Sequence, residues 1–142
     1  MALIARSVTA DFDGLTAIRN GNQLPQLPGN PMRAGEALDA LAPFYINSAD
    51  GKVYMSNGSA ANEAAEIVGF TGKAYGAGEP VTAFREGTVI KYADGTLTPG
   101  AKLYIGATAG RLDDAATTGD AKGVAEALDD THIVVTRAHN CI

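Results

Sequence analysis

An all-β fold, a small antiparallel barrel or sandwich preceded by an extended N-terminal arm, is what this sequence predicts, on three observations. Hairpin-forming dipeptides, Asp50-Gly51 and Asp94-Gly95, punctuate short strand patterns throughout the chain. A block around Tyr45-Ile46 recurs around Tyr104-Ile105. Finally, Pro25, Pro28 and Pro31 close a loosely patterned first segment, dividing the chain into an arm of residues 1–33 and a body of residues 34–142.

The arm carries Ile4, Val8, Phe12, Leu15 and Ile18 at irregular intervals, with Leu24 and Leu27 further on, and no helical or strand period persists. Its prolines withhold backbone donors from any sheet and favour an extended path. A disordered tail is usually poor in large apolar side chains, and this one is not. The arm therefore reads as a segment that lies extended on a partner surface.

From residue 34 onward the candidate strands are 44–47, 52–55, 67–71, 80–84, 88–92, 102–106, 110–112, 124–128 and 132–137. Between the second and third, residues 59–66 are expected to make one or two helical turns capped by Ser59. The 17 glycines suit the many short connections of such a fold. Tyr45, Ile46, Gly51, Lys52 and Val53 match Tyr104, Ile105, Gly110, Arg111 and Leu112 at one constant offset of 59. Beyond those hairpins the likeness continues with drift, Ile67-Val68-Gly69-Phe70 against Gly123-Val124-Ala125, so the body reads as a pseudo-symmetric duplication.

At 142 residues the chain suffices for one domain. Its 46% hydrophobic content overstates the core, because 26 of those residues are alanine and tryptophan is absent. A light core favours further burial on association. Net charge is −5, against nucleic acid or an anionic membrane as partner, since both call for clustered Lys and Arg. The balance is uneven: three arginines against two aspartates make the arm +1, while the body carries eight basic and fourteen acidic groups, −6. Cys141 is the only cysteine, so no intramolecular disulfide can form. The first residues, Met1 to Arg6, hold too short an apolar run for a signal-peptide core, and no segment approaches a membrane span, which predicts synthesis in the cytosol.

No catalytic constellation stands out. His132 and His139 lack a metalloenzyme motif. Asp113-Asp114 and Asp129-Asp130 lack the spacing of a calcium loop and read as turn residues. The serines lack a nucleophile elbow, and Gly76-Ala77-Gly78 lacks the glycine and helix start of a phosphate cradle. No enzyme activity and no cofactor are expected.

The body nevertheless resembles a known family, the small capsid decoration, or cement, proteins of tailed bacteriophages. The resemblance lies in Ala34-Gly-Glu-Ala-Leu38 running into Phe44-Tyr-Ile46 and Asp50-Gly-Lys-Val-Tyr54, then Ile67-Val-Gly-Phe70 and Ala77-Gly-Glu-Pro-Val81. It continues through Leu97-Thr-Pro-Gly-Ala-Lys-Leu-Tyr104, Gly110-Arg-Leu112 and residues 115–119, covering residues 34–137. It implies a structural protein of the virion's outer capsid surface, commonly a trimer, that binds the major capsid protein and reinforces the shell. The pattern of the arm assigns the capsid contact to Ile4, Arg6, Val8, Phe12, Leu15, Ile18, Arg19, Leu24 and Leu27. The alternative is a carbohydrate- or receptor-binding β module of head-fibre or adhesion type, presenting Tyr54, Tyr75, Tyr92 or Tyr104 as aromatic platforms.

Overall fold

A computed structural model describes residues 18–20 and 32–137. Among the described residues ten short strands form: β1 (Ile18–Asn20), β2 (Pro43–Ile46), β3 (Val53–Met55), β4 (Gly69–Thr71), β5 (Ala83–Phe84), β6 (Val89–Lys91), β7 (Lys102–Ile105), β8 (Leu112–Asp113), β9 (Ala125–Ala127) and β10 (His132–Val135). All ladders are antiparallel, in two sheets ordered β3-β2-β4-β5 and β1-β6-β10-β9-β7-β8. The fold is all-β, as the sequence indicates. No ladder among the described residues closes either sheet, so the pairings describe two open sheets and not a barrel.

The duplication is realised strand for strand. Ile46 faces Val53 and Tyr45 faces Tyr54 across β2–β3; Ile105 faces Leu112 and Tyr104 faces Asp113 across β7–β8. Pro43 and Phe44 pair with Phe70 and Gly69, just as Lys102 and Leu103 pair with Glu126 and Ala125. Thr71 faces Ala83 and Ala127 faces Ile133. The orders β3-β2-β4-β5 and β8-β7-β9-β10 are therefore one four-stranded unit made twice, with β6 and β1 added to the second copy. Offsets fall from 59 to 56 and then 50 along the chain because the loops differ in length, which explains the drift.

Each unit buries the same positions. In the first, Ala34, Leu38, Phe44, Val53 and Ala83 pack together; in the second, Ala93, Leu97, Leu103, Leu112 and Ile133 occupy the equivalent places. Each large aliphatic or aromatic side chain so buried contributes about 1.5–3 kcal/mol. The units differ on the opposite face. Pro43 and Phe70 are buried, whereas their counterparts Lys102 and Glu126 are exposed and pair across the strands. Phe70, Leu41 and Ile67 join the second unit's core in a single cluster, so the first unit's back packs on the second unit.

Two local expectations change. Residues 59–66 hold a single 3-10 turn, Glu63–Ala65, capped by Asn62, whose side chain accepts the Ala64 N–H at 3.0 Å. Ser59 instead donates its N–H to Asn57 Oδ1 at 2.9 Å, starting a turn of its own. The strand expected at 110–112 is displaced to Leu112–Asp113, since Gly110 sits at φ +73° in the hairpin bend that its counterpart Gly51 also makes at +73°.

Candidate binding surfaces

The outward side of the first hairpin gathers aromatic rings and acids. Tyr45 and Tyr54, opposite one another across β2–β3, hold their ring centroids 6.2 Å apart and tilted by 34°. The ring of Tyr54 lies directly over Gly35, where a Cβ would come within 2.3 Å of it, so a side chain there would push the ring aside. The Tyr54 hydroxyl donates to Asp50 Oδ2 at 2.5 Å, and the other Asp50 oxygen accepts the Lys52 N–H at 2.9 Å. The Tyr54 bond, first, and the Lys52 N–H hold the Asp50 carboxyl below its usual range. The carboxylate correspondingly raises the Tyr54 phenol, while burial, then Glu63, Glu36 and Asp50, raise Tyr45. Both phenols thus stay neutral donors at physiological pH, on a surface dominated by carboxylates. Such a surface suits a basic or hydrogen-bond-rich partner.

A second feature lies at the seam of the two units. Ala65, Thr118, Gly119, Asp120, Ala121, Lys122 and Arg137 line a groove of about 210 Å³, continuous through Ala65 and Gly119 with a larger one of about 460 Å³ beside Asn62, Glu63 and Glu66. Asp120 anchors it. The fully buried carboxylate accepts the Ile105 N–H on Oδ2 at 2.8 Å, and on Oδ1 the N–H groups of Lys122 at 3.0 Å and Gly123 at 2.9 Å, with Arg137 Nη2 at 2.8 Å. Four donors satisfy one carboxylate. Its role is to fix the loop between β8 and β9.

A third cluster has the composition of a catalytic set without its geometry. Thr131 Oγ1 and the Asp129 carboxylate both meet His132 at the same ring nitrogen, Nδ1, at 2.7 and 3.1 Å. A relay needs the two on opposite nitrogens. The N–H groups of Thr131 and His132 close onto Asp129 Oδ1 at 2.8 and 2.7 Å and hold its carboxyl far below the usual range. The residues close the β9–β10 turn. Among the described residues, no three His, Cys, Asp or Glu side chains converge as a metal site would require, and no helix is long and apolar enough to cross a membrane.

Of the residues the arm pattern singles out, Ile18 and Arg19 lie on β1, where Ile18 pairs with Ile90 of β6. Ile4, Arg6, Val8, Phe12, Leu15, Leu24 and Leu27 lie outside the described residues. Of the tyrosine platforms, Tyr92 and Tyr75 are buried core residues, while Tyr54 and Tyr104 remain half-buried. Tyr45, singled out from the sequence for the repeat but not as a platform, is the partner that makes Tyr54 a pair; the alternation of β2 opposite β3 was the signal for it. Compared with known proteins, the chain matches no family model, no curated protein and no solved structure.

Proposed function

We propose that this protein is a structural component of a tailed-phage virion that binds the outer surface of the head and cements neighbouring major capsid protein subunits. The observation that carries the reading is where the family-like motifs fall. Ala34–Leu38, Phe44–Ile46, Asp50–Tyr54, Ile67–Phe70 and the stretch from Leu97 to Leu112 are the core and turn positions of one duplicated body. The motifs are thus spent on building a scaffold, which leaves binding to its surfaces and to the N-terminal segment that enters at β1. The acids and tyrosines of the first hairpin fit a role in contact and not in turnover. Many weak contacts held in fixed geometry by a rigid body and its self-associated copies gain avidity without one strong site.

The test is decoration of expanded heads by purified protein, read by co-sedimentation. The full chain is expected to bind in fixed ratio to the major capsid protein, and a chain lacking residues 1–17, which keeps β1, is expected to lose most of that binding. Equal binding by the truncated chain would remove the arm from the interface, and no binding by either would remove the capsid reading. The Tyr45–Tyr54 pair supports a second reading, a carbohydrate- or receptor-binding module, for which saturable glycan binding abolished by Tyr54→Ala is the sign.

A further inference from the structure

Ile46 ends β2 with 40% of its surface exposed, whereas Ile105, its counterpart in the repeat, is fully buried. The hairpins themselves share register, so the difference lies in what covers them. Val53 donates its N–H to the Arg33 carbonyl and accepts from the Gly35 N–H, both on the side away from β2. Ile46 and Val53 are therefore a pair whose backbone groups point away from each other. Those of Ile46 emerge on the β4 side, past Gly69 where the β2–β4 pairing stops, and meet no partner among the described residues.

In the second hairpin the same two groups are taken. Ile105 donates its N–H to Asp120 Oδ2 and accepts at its carbonyl from Thr117 Oγ1, each at 2.8 Å. The first unit holds the hairpin tip as well. Gly58 N–H donates to the Gly106 carbonyl at 2.8 Å, and Gly110 N–H to the Ser56 carbonyl at 2.9 Å. Gly110 also lies so close to Met55 and Ala42 that a Cβ there would meet both. The molecule thus contains one worked example of how this hairpin is received, and one hairpin that nothing among the described residues receives.

We infer that the first hairpin, Ile46 to Val53, docks on the second unit of another copy of the chain, at Ala101, Asp114 and Ala115, the repeat counterparts of Ala42, Met55 and Ser56. At this surface Asp114 is exposed, Ala101 and Ala115 are half-exposed, and the Ala115 carbonyl, equivalent to that of Ser56, accepts no hydrogen bond among the described residues. Lys52, exposed at the hairpin, brings a cation to the side where the receiving surface holds Asp114. A contact of this kind joins different surfaces of successive copies, head to tail, and gives a ring where the rotation between copies closes and a filament where it does not. The inference rests only on the self-association within the proposed function. It is tested on purified protein without heads, so its failure is told apart from a failure to decorate.

Sedimentation of the full chain is expected to show a concentration-dependent oligomer, with Ile46→Asp weakening association by about tenfold or more, as loss of a central apolar anchor does. Asp114→Lys, on the opposite surface, is expected to weaken it too, and covers the case in which Ile46→Asp fails to fold. In a Cys141→Ser background, Lys52→Cys and Ala115→Cys proteins made separately are expected to form a disulfide-linked dimer when mixed under oxidation, in excess of either alone. A full chain that stays monomeric, folded variants that associate like the parent, or a mixture that crosslinks no better than its components would each overturn the inference.

Discussion

Leu41 is the one described residue other than glycine with positive φ, at +56°. Its counterpart in the second unit is Gly100, at +80°, and the two donate their N–H groups to equivalent carbonyls, Thr71 and Ala127. The turn therefore demands a left-handed residue in both units, and glycine meets the demand without strain. The first unit keeps leucine because that side chain is fully buried where the two units meet. Magnitudes decide the outcome of exchanging them. Leu41→Gly relieves roughly 1–2 kcal/mol of backbone strain but forfeits about 2–5 kcal/mol of packing. A net loss of up to about 4 kcal/mol is expected, read as a lower urea midpoint at unchanged slope. If the variant proves more stable than the parent, strain and not packing dominates at this position.

The loop from β8 to β9 shows how one element depends on a single carboxylate. Asp120 is buried and takes three backbone N–H groups besides Arg137, whose side chain is 23% exposed and also donates to the Gly123 carbonyl at 2.9 Å. Removing the two partners should therefore have unequal effects. Asp120→Ala strands the Ile105, Lys122 and Gly123 donors and is expected to cost about 3–5 kcal/mol. Arg137→Ala leaves the carboxylate three donors and is expected to cost less than half as much. Thermal unfolding of the pair checks this, and equal losses would mean the ion pair and not the backbone bonds carries the loop. None of this was legible in the sequence. Asp120 sits seventeen residues from Arg137 in a stretch of small residues, and only the fold brings them together. What was legible had a local cause. Asp50-Gly51 and the Gly110 turn announce hairpins through their own backbone needs, and the spacing of Tyr45-Ile46 to Gly51 repeats because the same register must form twice. The cap at Asn62 was missed because Ser59, three residues earlier, has the same local credentials.

At the scale of the molecule, duplication explains both the stability and the asymmetry. Two like units cannot both present an apolar back to water, so one hides its back against the other, and the exposed back has become Lys102 and Glu126 where the buried one keeps Pro43 and Phe70. Phe70 belongs by sequence and by sheet to the first unit, yet its ring lies in the cluster built around Ile90, Leu103 and Ile133 of the second. If the units depend on each other through that cluster, damage on one side must be felt on both. Phe70→Ala is expected to cost about 3–5 kcal/mol and to keep a single unfolding transition, with amide protection falling in β2–β4 and in β7, β9 and β10 alike. Loss of protection in the first sheet alone would show two separately stable units sharing a chain. That outcome would also weaken the case for a body rigid enough to hold several weak contacts at once, since two units hinged at their seam could not fix the geometry that avidity requires.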